Sequence, residues 1–592
     1  MRHSASVLVL VTGLLASCAS PAAEESAGAV RWVEWGPEAF ASARATNRLV
    51  LLDLGAVWCH WCHVMDEETY GDPGVRLLLA KGFVCVRVDQ AEKPDLAHRY
   101  EDYGWPATII LNGEGEELVK RRGYIPPAKM RALLSRITAN PKPLGDDEDS
   151  TGDEAALSAN GAPSLGTALT TDLERSYDES YDAEHASWGF VHKFLPKHPI
   201  EYALFLAVRG EPQARKQARD SLIAQLALLD DAWGGMYQYS HGGDWTHPHF
   251  EKIMAVQADD LMAYSRGALL FSEPRFSGAA DAIADYILTF LRGPEGAFRP
   301  SQDADLVKGR HAEDYFALDD AGRRARGIPE VAPHIFTAEN GWAIRALALH
   351  HEALGRQASL DAAVRAAQWI LAHRSLPGGG FRHEDDDDDG PYLGDSLAMG
   401  QAFLELHRAT GEPEWLERAA NVADFIAEHF VCPKGGFLTA ALQPDLPLPP
   451  LPNRDENIEM ARWGLRLAHQ TGAERHQKLA DRAFAWLARP RIARQRPTAG
   501  VLLAFAERSE APREIVVVGK RDDPATQDLY QVALAQPRDY RRLVRWHPTE
   551  GALAGAQFPY PDMGKPAVFV CEGGVCSSPI FEARALRKRL AP

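Results

Sequence analysis

Apolar positions follow two periods along the chain, and the period changes near residue 165. Ahead of that point lie short unbroken apolar runs, at Leu49-Val50-Leu51-Leu52, Val84 to Val88 and Ala107 to Leu111. Runs of this length read as buried strands. Asn112-Gly113 then marks a hairpin turn, with Glu117 to Lys120 returning. A helical stretch separates the first two strands, so the order is strand, helix, strand, then hairpin. Beyond residue 166 the period is helical. Leu360, Val364, Ala367 and Leu371 fall at i, i+4, i+7 and i+11, and Trp415, Ala419, Val422 and Ile426 repeat the spacing.

The pattern predicts twelve helices: Thr167–Tyr177, Pro199–Val208, Pro212–Leu229, Ile253–Leu270, Pro274–Leu291, Thr337–Leu354, Ser359–His373, Asp395–Ala409, Pro413–Phe430, Glu456–Gln470, Glu474–Ala488 and Pro497–Arg508. Several open with Pro, and several stop at Gly, as at Gly355, Gly411 and Gly472. After alternate helices comes a small-residue turn with an aromatic or Met: Trp188-Gly189-Phe190, Gly234-Gly235-Met236, Gly296-Ala297-Phe298, Gly379-Gly380-Phe381 and Gly435-Gly436-Phe437. Long loops at one end and short turns at the other are what a closed ring of helical hairpins requires. Six hairpins resemble the (α/α)6 toroid of six-hairpin glycosidase-like proteins. Glu514 to Val518 and Ala567 to Cys571 read as strands around a helix near Thr526 to Leu534, a small C-terminal α/β module. The fold class is therefore multidomain: an α/β domain over residues 30–139, a linker over 140–166, an all-α toroid over 167–510 and an α/β module over 511–592.

Composition is that of a globular protein, with 45% hydrophobic and 25% charged residues in 592. The stretch 140–166 departs from it. Rich in Asp, Glu, Gly, Ser and Pro, it buries too little surface to offset its ordering entropy, so we expect a flexible acidic tether. A net charge of −18 argues against nucleic acid as a partner. At the N-terminus, Arg2 precedes the short apolar run Val7 to Leu15, which ends in Leu15-Ala16-Ser17-Cys18. This resembles a lipoprotein signal peptide (residues 1–18), which implies cleavage before Cys18 and its acylation. The alternative is an ordinary signal peptide with a chance cysteine. With Ala19 after the cysteine, the expected location is the bacterial cell envelope, lipid-anchored at the outer membrane and facing the periplasm, the lipid being the only membrane attachment.

Of the seven cysteines, Cys59 and Cys62 form a Cys-x-x-Cys, Cys571 and Cys576 lie close together, and Cys85 and Cys432 stand alone in apolar surroundings. Asp53 lies six residues before Cys59, Trp58 directly precedes it, and Trp105-Pro106 heads the third strand. Together these resemble a thioredoxin-like domain. The resemblance implies a nucleophilic Cys59 capping a helix, a less exposed resolving Cys62, Asp53 as buried proton relay, Asp89 as a second acid, and a cis peptide bond at Pro106 beside the thiols. A helix N-terminus favours thiolate over thiol. His60-Trp61 replaces the Gly-Pro of true thioredoxins. His60, with His63 one turn on, would lower the thiol pKa further, and Trp58 and Trp61 would shape the surroundings. The alternative is a thioredoxin fold kept as a binding platform. Cys59, Cys62 and His63 offer three donors for zinc or copper, but no fourth is evident nearby, so no metal or other cofactor is expected.

The run Trp58-Cys59-His60-Trp61-Cys62-His63-Val64-Met65 resembles the family named for a spermatogenesis-associated protein, in which a thioredoxin-like domain precedes a six-hairpin toroid. Lys193-Phe194 with Pro196, Trp245 with Pro248-His249-Phe250-Glu251-Lys252, Asp303-Ala304-Asp305, Asn340-Gly341 and Asp395 match its toroid motifs, and Cys571 with Cys576 its C-terminal pair. Gln302, Glu339, Trp342 and Gly394 depart from it. The resemblance implies exchange with protein thiols or disulfides. It also implies a toroid cavity that takes a carbohydrate, lined by Trp245, His249, Glu251, Asp303, Asp305 and Asp395 together with Tyr237, Tyr239 and Phe250, as in an epimerase or glycosidase. Alternatively these acids only cap helices and tie loops, and the chain is a non-catalytic scaffold. Cys571 and Cys576 would form a structural disulfide or a second exchange partner. The acidic run Glu384 to Asp389 reads as a solvated loop rather than a calcium site.

Overall fold

The computed structural model describes residues 28–143, 163–310, 312–385, 390–556 and 558–591. Cys18, most of the acidic tether and Asp386 to Asp389 lie outside them. The first domain is a five-stranded sheet in the order β1-β3-β2-β4-β5: β1 (Trp32–Val33), β2 (Leu49–Gly55), β3 (Phe83–Asp89), β4 (Ala107–Leu111) and β5 (Glu117–Arg122). The apolar runs read from sequence are its central strands. β2 pairs parallel with β3 and antiparallel with β4. Both faces are covered: α1 (Pro37–Thr46) and α4 (Pro94–Tyr100) on one side, α3 (Pro73–Gly82) and α5 (Pro127–Ala139) on the other. This is a thioredoxin-like fold, and α2 (His60–Val64) starts just beyond the end of β2.

The second domain is a helical toroid. Among the described residues, the helices Lys197–Val208, Met254–Phe271, Thr337–Leu354, Leu393–Thr410, Arg454–Thr471 and Ala499–Ser509 each pack on the next, and the last packs back on the first. A ring of six inner helices is thereby closed. Thr167–Glu179, Pro212–Gln225, Pro274–Tyr286, Gln357–His373, Pro413–His429 and Glu474–Leu487 form the outer layer.

The repeated small-residue turns have a physical role. Four of them feed Met236, Phe298, Phe381 and Phe437 into the core, and for three of these a polar side chain near the start of an inner helix clamps the residue's backbone on both sides; Phe190 of the first turn is exposed. Gln257 accepts from the Met236 N–H (2.7 Å) and donates to its carbonyl (2.8 Å). Asn340 does the same for Phe298, at 2.8 and 3.0 Å, and Asn457 for Phe437 at the same distances. Asn340-Gly341 therefore reads as a packing motif: a Cβ on Gly341 would stand 2.7 Å from the Ala398 backbone. Replacing Asn340 by Ala strands the buried Phe298 N–H and C=O. We expect a loss of roughly 2–4 kcal/mol, seen as a lower thermal midpoint, with Asn457→Ala behaving alike.

The two ends of the ring are closed differently. The C-terminal module, a sheet of Arg541–Trp546, Arg513–Val518, Ala567–Glu572 and Val575–Cys576, packs where the inner helices end. Its Asp539 and Arg541 engage Arg408, Arg466 and Glu352 there. The thioredoxin-like domain covers the opposite mouth, where the inner helices begin and the long loops gather. There His383 Nε2 lies 2.6 Å from the Ala91 carbonyl and Asn453 Nδ2 3.3 Å from the Glu101 carboxylate.

Candidate functional site

Strand β2 ends at Gly55, and Ala56-Val57-Trp58 carry the chain to Cys59, the N-cap of α2. Cys59 Sγ accepts the Cys62 N–H at 3.1 Å. The same N–H also reaches the Cys59 carbonyl oxygen at 3.0 Å; a sulfur held against a first-turn N–H is favoured as the anion. Cys59 and Cys62 are joined in a disulfide, with Cα atoms 5.2 Å apart. Gly55 leaves room for it, since a Cβ there would stand 3.2 Å from Cys62 Sγ. The Trp105–Pro106 bond is cis, as expected, and Trp105 packs beside Cys59 and Trp58.

The two acids expected near the motif differ in their contacts. Asp53 is buried, accepting from Tyr70 Oη and Arg87 Nε, each at 3.0 Å. Burial pushes its carboxyl up to about 6, against the pull of Arg87 and the Tyr70 hydrogen bond. Asp89 closes β3 and accepts the N–H groups of Val57 (2.6 Å) and Ala91 (2.8 Å), so it fixes the approach to the thiols. Its carboxyl also rises to about 6, chiefly through burial. A carboxyl whose folded pKa is raised contributes most below its unfolded value, and that contribution fades as pH climbs through the folded value. Asp53→Asn should therefore gain stability relative to the parent between pH 4 and pH 7, by roughly 2–3 kcal/mol for a shift of this size. Chemical denaturation at the two pH values checks it; an unchanged difference contradicts it.

The toroid supplies the other wall. Lys252–Ile253 pairs antiparallel with Ser301–Gln302, which brings the His-Phe-Glu-Lys and Asp-Ala-Asp runs side by side. Ile253 packs against the Ala56, Trp58 and Cys59 cluster. Asp305 Oδ2 lies 3.1 Å from His60 Nδ1 and 3.4 Å from His63 Nδ1, and it accepts the Gly309 N–H at 2.7 Å. Burial works against the Asp305 anion, but the hydrogen bonds from His60, His63 and Gly309 outweigh it and hold its carboxyl well below the usual range. Asp303 accepts the Asp305 N–H at 2.9 Å, yet burial still raises its pKa. Glu251 rises to about 7, through burial first and then through the like charges of Asp303 and Asp305. Beside Trp58 the two domains leave a cavity of about 170 Å³, walled by Trp58, Trp105, Ile253, His334, Glu339 and Trp342. Burial and nearby acids raise Glu339 to about 7.

Residues 14–139 match the family model Thioredox_DsbH, described as "Protein of unknown function, DUF255". Spermatogenesis-associated protein 20 of Homo sapiens is 24% identical to the chain over 712 residues, spanning 95% of this chain and 90% of that protein. The chain is homologous to the spermatogenesis-associated protein 20 family. The thioredoxin-like segment also matches the thiol:disulfide interchange protein DsbD 2 of Pseudomonas aeruginosa, 38% identical over 89 residues, 14% of each chain. Among solved structures, the cellobiose 2-epimerase of Bacillus thermoamylovorans aligns with 54% of this chain and 86% of its own, at 10% identity and a TM-score of 0.43.

Set against the family's motifs, the structure regroups the site residues. Glu251, Asp303 and Asp305, read from sequence as candidate lining of a toroid cavity at the loop-bearing end, lie beside the thiol motif, with Asp305 on His60 and His63. Asp395 accepts the Ala338 N–H at 2.9 Å and pairs with His383, so it ties a helix start to a loop. Trp245 donates to the His185 carbonyl at 2.7 Å, and His249 stacks on Tyr239. Exposure of the thiols is reversed from expectation. Cys59 is only 5% exposed because the toroid covers it, whereas Cys62 is half-buried and Trp61 lies open at 44%. Cys571 and Cys576 form a disulfide across a strand hairpin, and Cys85 and Cys432 are buried free thiols. Glu384 pairs with His334, which ties its loop to the one before Thr337–Leu354. Ile253 was missed as a site residue because its apolar character reads as helix core. Tyr70 and Arg87 were missed because only their contact with Asp53 marks them.

Proposed function

We propose that the chain carries out thiol–disulfide exchange through Cys59 and Cys62, at the interface of the two domains. The observation that carries this reading is Cys59 Sγ held at the start of α2 against the Cys62 N–H, bonded to Cys62 and packed among Trp58, Trp105 and Ile253. In the reducing direction the Cys59 thiolate attacks a disulfide R–S–S–R′, forming Cys59–S–S–R and releasing R′–S⁻. The Cys62 thiolate then attacks Cys59 Sγ, giving the Cys59–Cys62 disulfide and R–S⁻, each leaving thiolate taking a proton from solvent. The reverse sequence oxidises a dithiol.

Burial of Cys59 narrows the substrate. A disulfide in a folded protein does not reach a sulfur under Ile253 in this arrangement, so the reading favours a small disulfide or an extended Cys-bearing segment as substrate. The test is reduction of a small chromogenic disulfide against reduction of a folded disulfide protein. We expect the first to proceed and the second to be far slower, with both lost in Cys59→Ser. Equal rates in Cys59→Ser and the parent would leave the scaffold reading.

Carbohydrate binding is a second reading, favoured by the aromatic walls Trp105 and Trp342 beside Glu339 in the same cavity. It predicts that a mono- or disaccharide raises the thermal midpoint of the oxidised chain, and that Trp342→Ala abolishes the rise. We further propose that Cys18 is acylated and holds the protein at the cell envelope. Labelling with a radioactive fatty acid, lost in Cys18→Ser, tests this.

A further inference from the structure

A group of donors at the same interface has no part in the exchange step. His63, Asp303 and Asp305 each offer one ligand atom, and these atoms all lie within 4.8 Å of one another. His63 comes from the thioredoxin-like domain and both aspartates from the toroid, so no local sequence motif unites them. The tautomer of His63 is fixed by its surroundings. Its Nε2 lies 3.0 Å from the Val57 carbonyl oxygen, which only accepts, so Nε2 carries the hydrogen. When the ring is neutral, Nδ1 turns a lone pair toward Asp305 Oδ2, 3.4 Å away; when the ring is charged, the same nitrogen donates its proton there. The position between the two therefore takes a proton or, in exchange for it, a metal ion. An imidazole whose far N–H is anchored on a backbone carbonyl is the arrangement that supports metal ligation. His60 holds the same Asp305 oxygen from behind at 3.1 Å, and Gly309 N–H holds it at 2.7 Å. A second, independent sign is Glu251. It is 4% exposed, and its Oε2 has no hydrogen-bond partner among the described residues. His249 Nδ1 stands 3.8 Å from that oxygen.

We propose that His63, Asp303 and Asp305 form a binding site for a divalent first-row transition metal, with His60 positioning Asp305 and Glu251 as a further carboxylate at its edge. One imidazole and two carboxylates suit zinc, manganese or ferrous iron rather than the thiolate-seeking cuprous ion. Calcium, which takes oxygen ligands, is disfavoured by the imidazole nitrogen of His63. A metal here would bridge the two domains and hold the toroid over Cys59. It needs neither thiol as a ligand, so the proposal stands apart from the exchange reaction.

The experiment uses the full chain with the Cys59–Cys62 disulfide intact, stripped with a chelator and then titrated with zinc against a chromophoric competitor. Cobalt serves as the spectroscopic probe. We expect one equivalent bound per chain and a zinc-dependent rise in thermal midpoint. Asp303→Asn and His63→Gln should each weaken binding by about 100-fold or more, while the Cys59→Ser/Cys62→Ser chain binds as the parent does. Asp303 has the fewest other contacts, and its variant's unliganded thermal midpoint reports whether the fold is kept. Absence of stoichiometric binding by the oxidised parent overturns the proposal. So does zinc affinity unchanged in both ligand variants, or binding confined to the reduced chain and lost in the double-serine chain, which would mean a thiolate site.

Discussion

A Cys62→Ser chain mixed with glutathione disulfide should stop at a mixed disulfide on Cys59, and its turnover should fall to the uncatalysed rate. The first attack needs only the Cys59 anion, whose stabilising N–H belongs to the backbone of residue 62 and survives the substitution. The second attack needs the sulfur that has been removed. Mass spectrometry of the quenched protein should find one glutathione per chain, on the peptide containing Cys59. The complementary Cys59→Ser chain should accumulate little, because Cys62 lies one turn into α2 without the helix-start N–H groups. If Cys62 alone takes up glutathione in the parent, the roles are exchanged, and its greater exposure would be the cause.

The second large effect is structural. Asp230 is buried and binds two buried cations: Lys252 Nζ at 2.6 Å, and Arg323 through Nη1 at 2.6 Å and Nη2 at 2.9 Å. Lys252 heads the two-residue strand that carries Ile253 and pairs with Ser301–Gln302. Asp230→Ala leaves both cations buried without their counter-ion, a loss of roughly 3–5 kcal/mol. The thermal midpoint should drop sharply. Because the covering strand loosens with it, alkylation of Cys59 in the reduced chain should quicken more than alkylation of Cys62. A drop in midpoint with unchanged alkylation would separate the salt-bridge network from the cover.

Local periodicity carried most of the architecture. The expectation Thr337–Leu354 coincides with the observed helix, and the expectation Ser359–His373 differs from Gln357–His373 by two residues at its start. Such helices are legible because one apolar stripe faces the core while Gly stops the far end. Arg541–Trp546 was not legible as a strand. Its leading arginines read as exposed, yet Arg541 is buried against Glu352 and Arg542 against Glu514. The thiol motif was legible because its residues are neighbours on the chain. The toroid's half of the site was not. Asp305 meets His60 across 245 residues, and nothing in either segment's period records that the two domains face each other. The motif acids were therefore noticed without their proximity to the thiols. Asp89 was noticed as an acid, while its function, holding the Val57 N–H, depends on a turn whose shape sequence does not reveal.

The most direct test of the central claim is the redox equilibrium of the full chain in glutathione buffers, followed at the Cys59–Cys62 peptide by differential alkylation. The account predicts a reversible two-electron transition of this pair, with Cys85 and Cys432 unlabelled while the chain stays folded. A pair that remains fully oxidised or fully reduced across the whole buffer range, without exchange on any timescale, would contradict it.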